Sequence, residues 1–229
     1  MNSSLGPGIM PLDRDAWVRQ IGLCNFVNAF YQLRDMAQFP NAKRVLMIGP
    51  GQGLDPVVQR WRGYDVTTFD LDSTFSPDIL GSVHNMDMFE DGAFDVAIAS
   101  HVLEHLPLDH LDGALAEIAR VAEHALIYLP VNGLSVQFRI SANYRDWDWS
   151  RIIDLRKWWR RPGLQDARFM AGAHYWEIGV RGCSKRQVQG RIAHHFQVRN
   201  VYRNQDWRPS MNFVLTSHRP SPAAKQQSV

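Results

Sequence analysis

The chain has 229 residues, of which 45% are hydrophobic and 21% charged. That balance suits a soluble globular chain with one full core, and the formal net charge of +2 names no partner by itself. No segment approaches the roughly 18 uninterrupted apolar residues of a membrane span, and two cysteines, Cys24 and Cys183, are too few for a disulfide framework or a thiolate zinc cluster.

The opening MNSSLGPGIMPLDRD lacks a basic stretch followed by an apolar run, so a cytoplasmic location is expected. From Asp13 to about Met36, residues Trp17, Ile21, Cys24, Val27, Phe30 and Tyr31 recur at three- and four-residue steps, predicting a helix with one apolar face. Pro40 and Asn41 end it. Apolar runs then alternate with helical patterns: RVLMIG (44–49), a helix over 54–62, DVTTFD (65–70), DILGSV (78–83), FDVAIAS (94–100), a helix over 111–121, and HALIYLP (124–130). Short apolar strands separated by helices imply a parallel sheet covered by helices. After Asn132 a tryptophan-rich, basic stretch runs to about Gly190. HFQVRNVYR (195–203) and MNFVLTS (211–217) then predict two strands, and PSPAAKQQSV reads as a disordered tail.

VLMIGPGQGLDP has the form strand, glycine-rich turn, helix. Gly49, Gly51 and Gly53 permit a tight turn and leave no Cβ between the backbone and a ligand lying across the strand ends. Asp70 ends the next strand, where a carboxylate can accept both hydroxyls of a ribose. The spacing is G-x-G-x-G, with Leu54 where a dinucleotide fingerprint has its last glycine, which favours a ligand without a pyrophosphate.

In these features the chain resembles the class I S-adenosylmethionine-dependent methyltransferases: MIGPGQG looks like their first motif, FDLDS like the second-strand motif, and DGAFDVAIASHVLEHL like the fourth-strand segment. The resemblance implies an α/β fold: a Rossmann-like, seven-stranded, mostly parallel sheet with helices on both faces and a C-terminal antiparallel strand pair. It also implies a helical lid over 1–40, a methyltransferase domain over 41–217 with an acceptor-side insertion at about 133–190, and a tail over 218–229. It makes S-adenosylmethionine the cofactor. Gly49, Gly51 and Gly53 would approach its methionine and ribose portion, Asp70 would hold the ribose, Leu71 would pack on adenine, Met86 or Asp87 would flank the adenine edge, and Ser100 would lie near the sulfonium. Met47 stands where many members have an acid in the first strand, and Ser82 where many have an aspartate in the third.

HVLEH (101–105) also matches the H-x-x-E-H zinc-protease pattern, with Glu177 as a distant third ligand. That reading needs both histidines on a long helix, and Pro107 disfavours one at Leu106. Some quinone-biosynthesis methyltransferases bind a divalent ion through E-x-x-E-H at this place. His101 in the first position departs from them and argues against a hard ion such as magnesium, so no metal is expected. Glu104 and His105 are read as tying the turn to the sheet. His101 is the candidate general base, because imidazole takes up a proton readily near neutral pH, or else a residue that only shapes the pocket.

HYWEIGVRG (174–182) looks like a segment of bacterial methyltransferases of surface-glycan and specialised pathways. It makes His174 a second catalytic candidate, and Tyr175, Trp176 and Glu177 acceptor-binding candidates. Basic residues crowd 151–208, among them Arg156, Lys157, Arg160, Arg161 and Arg168, interleaved with tryptophans. They suit an anionic small-molecule or glycan acceptor and O-methylation. An RNA methyltransferase is an alternative that lacks a separate RNA-binding module, and an inactive cofactor-binding interaction protein is a second. The apolar face of the leading helix would either cover the pocket or pair with a second copy in a homodimer.

Overall fold

The computed structural model describes residues 22–132, 134–142, 145–153, 174–204, 206 and 210–219. The apolar runs become strands: β1 (Arg44–Ile48), β2 (Asp65–Asp70), β3 (Ile79–Leu80), β4 (Phe94–Ser100), β5 (Ala122–Pro130), β8 (Phe196–Asn204) and β9 (Ser210–Ser217). They form one seven-stranded sheet in the order β3-β2-β1-β4-β5-β9-β8. The first five strands run parallel, and β9 is antiparallel to both β5 and β8, as expected.

Both sheet faces are covered because apolar side chains in β1 and β4 point both ways. Leu46, Ile48, Ala97 and Ala99 face one side, where α3 (Leu111–Val121) and α4 (Lys185–His195) contribute Leu115, Ile118, Val188 and Ile192. Val45, Met47, Val96 and Ile98 face the other, beneath Tyr31, Met36 and Phe39 from and just after α1 (Leu23–Met36). The helix that links β1 to β2, α2 (Leu54–Trp61), starts directly from the glycine loop, with Gly53 as its N-cap.

Of the predicted leading helix, Leu23–Met36 is present as α1, and Asp13 to Ile21 lie outside the described residues. The single apolar face is only partly buried: Tyr31 is 7% exposed but Phe30 is 60% exposed, as are Leu23 and Phe26 to a similar degree. Three other details differ from the sequence reading. The strand expected over 78–83 shrinks to two residues. The stretch after Asn132 holds a hairpin, β6 (Leu134–Ala142) with β7 (Arg145–Ile153), as a separate two-stranded sheet. Residues 185–195 form α4, started by a capping box in which Ser184 and Gln187 satisfy each other's backbone N–H groups. Arg156, Lys157, Trp158, Trp159, Arg160, Arg161, Arg168, Trp207 and the tail over 220–229 lie outside the described residues. No described helix is long and apolar enough to cross a membrane.

Candidate active site

Register builds the site. Ile48 pairs with Phe69 on one side and Ala99 on the other, so the next residues, Gly49, Asp70 and Ser100, lie level at the carboxyl edge of the sheet. Neighbouring strands are about 4.8 Å apart, so a ligand the size of a nucleoside can span them.

The glycine loop has a different requirement at each end. Gly49 has φ +65°, and a Cβ there would come within 2.4 Å of Val102 Cγ2, so this glycine serves packing. Gly53 has φ +83°, and a Cβ there would meet nothing within 4 Å; the loop is open on that side. Asp70 is half-buried, and its Oδ1 accepts the Asp72 N–H at 2.9 Å, which fixes the carboxylate. Burial raises its pKa, partly offset by backbone N–H groups. Leu71 is 57% exposed beside it, an apolar surface that water covers at a cost. The open glycine edge, the fixed carboxylate and the exposed leucine fit the ribose and adenine of S-adenosylmethionine. Of the two adenine-edge candidates, Asp87 is exposed, whereas Met86 is fully buried in the core with its N–H bonded to Glu117, so the expectation is corrected toward Asp87.

Sequence reasoning missed the polar group that α1 brings to this loop. Asp55 Oδ2 accepts from Asn28 Nδ2 at 2.8 Å and Gln32 Nε2 at 2.7 Å, and Asn28 Oδ1 accepts the Ser100 hydroxyl at 2.9 Å. Asn25 bonds Gln52 within the loop itself. Burial raises the Asp55 carboxyl from 3.8 to about 6, against the opposing pull of Gln32, Asn28 and His101. The D-x-x-x-x of α2 carried no signal for this, because its partners come from a helix more than 20 residues earlier.

Beyond Ser100 the backbone turns through His101, whose φ of +55° is left-handed, a strained geometry that costs a non-glycine residue about 1–3 kcal/mol and clusters at functional sites. The His101 N–H is bonded to Tyr128 O at 2.9 Å, and its side chain is 37% exposed. The helix demanded by the protease reading is absent here: Leu103–His105 forms one 3-10 turn and Leu106 is extended. Glu104 is completely buried. Burial alone would raise its pKa, but His101 and His105 outweigh that and hold it below the ordinary glutamate value.

The segment that begins at His174 folds back onto this turn. Tyr175 N–H donates to Glu104 O at 2.8 Å, and the Trp176 indole N–H donates to Leu106 O at 3.1 Å. Trp176 is 2% exposed and serves as core, which corrects its reading as an acceptor contact. His174, Tyr175 and Glu177 keep partial exposure; His174 Nδ1 lies 2.8 Å from Glu177 Oε1, whose other oxygen accepts from Asn132 at 3.1 Å.

Residues 46–125 match the family model described as "Methyltransferase domain". No curated protein sequence matches the chain. Among solved structures, the chain is similar to the N-methyltransferase NodS from Bradyrhizobium japonicum in complex with S-adenosyl-L-homocysteine, with a TM-score of 0.59 and 11% identity over 91% of this chain and 94% of that one. An S-adenosylmethionine-dependent methyltransferase from Clostridium acetobutylicum gives 0.55 and 7% over 89% and 95%. An O-methyltransferase family protein from Burkholderia thailandensis gives 0.56 and 16% over 89% of this chain and 58% of that one. The domain match over residues 46–125, together with a fold shared with structures solved as S-adenosylmethionine-dependent methyltransferases, supports a methyltransferase that uses S-adenosylmethionine as its cofactor.

Proposed function

We propose that the chain methylates a hydroxyl of a small-molecule or glycan acceptor, with His101 taking the hydroxyl proton. The observation that carries this reading is the place of His101: a strained, part-exposed imidazole at the carboxyl end of β4, one residue beyond the level of Gly49 and Asp70. The bound cofactor supplies a methyl group already activated on sulfur. What remains for the protein is orientation and exclusion of water, worth on the order of 7–11 kcal/mol, and a base worth about 10²–10⁴ in rate.

The residues divide that work. Gly49, Gly51, Gly53, Asp70, Leu71 and Asp87 hold the cofactor, with Ser100 beside its reactive end. α1, tied to the loop through Asn25, Asn28 and Gln32, acts as the lid that keeps water out. His174, Tyr175 and Glu177 contact the acceptor, and His174 is a second proton acceptor oriented by Glu177. The basic residues between 156 and 168 would suit an anionic acceptor.

A screen of phenol, sugar-hydroxyl and amine acceptors with isotopically labelled methyl donor tests the reading. Transfer to a hydroxyl is expected, and His101→Ala should slow it about 10²–10⁴-fold while cofactor affinity holds. Transfer only to amines removes the O-methylation reading; unchanged turnover in His101→Ala removes the base.

A further inference from the structure

We propose that Glu104, His105 and His174 form a binding site for a divalent cation of zinc's class. One ligand atom from each lies within 4.8 Å of the other two. The set is not the H-x-x-E-H pair of the sequence, since its second imidazole comes from the segment that folds back from residue 174 rather than from His101.

Glu104 supplies the main argument. It is fully buried, and among the described residues neither carboxylate oxygen receives a hydrogen bond. A buried carboxylate costs several kcal/mol unless a cation or donors compensate it. The nearest groups are imidazole nitrogens: His101 Nδ1 at 3.5 Å from Oε1, a long contact that compensates the charge only in part, and His174 Nε2 at 3.9 Å, beyond hydrogen-bond distance. That spacing leaves room for an ion between them.

The orientation of His174 points the same way. Its Nδ1 faces Glu177 Oε1 at 2.8 Å, and Asn132 holds the other Glu177 oxygen. A carboxylate on one ring nitrogen fixes that nitrogen as the donor and turns the lone pair of the other toward a metal, the usual support behind a histidine ligand. Here the other nitrogen, Nε2, faces Glu104 Oε1 at 3.9 Å, on the side where the ion would sit. The His105 ring sits edge-on to His174 with centroids 4.9 Å apart, completing a three-sided arrangement. Two anchors hold the turn and the returning segment together: Tyr175 N–H to Glu104 O, and Trp176 to Leu106 O.

Ligand atoms about 2.0–2.2 Å from a tetrahedral ion are about 3.4 Å apart, so the three groups, now within 4.8 Å of one another, need to close by up to about 1.4 Å. Two imidazoles and one carboxylate suit zinc or a similar first-row ion better than magnesium or calcium, which prefer oxygen. Three protein ligands leave a fourth position for water or a donor atom of a ligand. The site stands on these side chains alone; with an ion bound, His174 serves as a ligand and not as the second proton acceptor, which leaves His101 as the only base.

The full-length protein, stripped with a chelator and desalted, would be titrated with zinc chloride in a calorimeter and then analysed for metal. One ion per chain is expected, with affinity lowered at least ~100-fold in Glu104→Gln and in His174→Ala, and ~10–100-fold in Glu177→Gln. Cobalt(II) added to the wild type should give the intense visible bands of a tetrahedral ion, and these should vanish in His174→Ala, a change in a surface segment that leaves the sheet intact. Failure of the folded wild type to retain zinc, or equal retention by both ligand variants, overturns the proposal and leaves a proton-bridged cluster. S-adenosylhomocysteine binding by the same stripped sample reads the cofactor site separately, so the two can fail independently.

Discussion

Gly49 and Gly53 look alike in the sequence but differ in what an added methyl group meets. Both hold left-handed φ values, which cost alanine roughly 1–2 kcal/mol. Only at Gly49 does the new Cβ strike Val102, adding an overpacking cost of about 1–3 kcal/mol. Thermal melts should therefore show Gly49→Ala as much the less stable variant, while Gly53→Ala should mainly weaken cofactor binding measured by calorimetry. Equal melting temperatures would contradict the packing role of Gly49. Asp55 gives a pH signature. Its folded pKa of about 6 lies above its ordinary value of 3.8, so the folded chain binds this proton more tightly than the unfolded chain. The resulting stabilisation is fully present below about pH 4 and is lost as pH rises through about 6, by about 3 kcal/mol at most. Melts of wild type and Asp55→Asn should diverge across that window, the wild type losing stability relative to the variant as pH rises; parallel curves would remove the assignment. Asp70 was legible in the sequence because its strand and its place after the glycine turn are both local patterns. Asp55, Asn28 and the backbone of His101 were not, because hydrogen bonds between distant segments and a positive φ at a histidine leave no periodic trace.

At the level of elements, α1 is fastened at both ends by polar contacts. Near the glycine loop these are Asn25, Asn28 and Gln32; at the other end Asp35, 1% exposed, accepts the Tyr128 hydroxyl at 2.7 Å and that of Tyr202 at 2.5 Å. Tyr31 bonds Asp206, and the Arg34 guanidinium lies 4.4 Å from the ring centres of both Tyr31 and Tyr202. Tyr128→Phe removes one buried hydrogen bond and leaves Asp35 undersupplied, a loss of about 1–3 kcal/mol, or roughly 2–4 °C in melting temperature for each kcal/mol. An unchanged melting temperature would mean that the sheet does not hold this end of the helix. The strands of the large sheet were legible because each is a short apolar run between turn signals. The β6–β7 hairpin was not, since DWDWS alternates aromatic and acidic residues within a longer basic, tryptophan-rich stretch that reads equally as an irregular insertion. α4 has little amphipathic contrast, with only Val188 and Ile192 buried, so periodicity could not show it; the S-x-x-Q capping pair at Ser184 and Gln187 was the available signal.

For the whole molecule, one feature of topology does most to determine function. With β1 central between β2 and β4, the parallel strands present their carboxyl ends together, and the loops that follow them carry the glycines, Asp70, Leu71, Ser100 and His101 to a single edge. β9 and β8 extend the sheet on the far side of β5, where Phe213 and Leu215 complete the core. The segment from His174 returns over the same edge, where Val131 and Ile178 pair in a parallel bridge. Calorimetric titration of the wild type and Asp70→Asn with S-adenosylhomocysteine tests that arrangement most directly. The wild type should bind one molecule per chain, and the variant, which loses hydrogen bonds from the ribose to a charged carboxylate, should bind roughly 10–100-fold more weakly with its fold intact. A folded wild type that takes up no S-adenosylhomocysteine, or a variant that binds it as tightly as the wild type, would contradict the account.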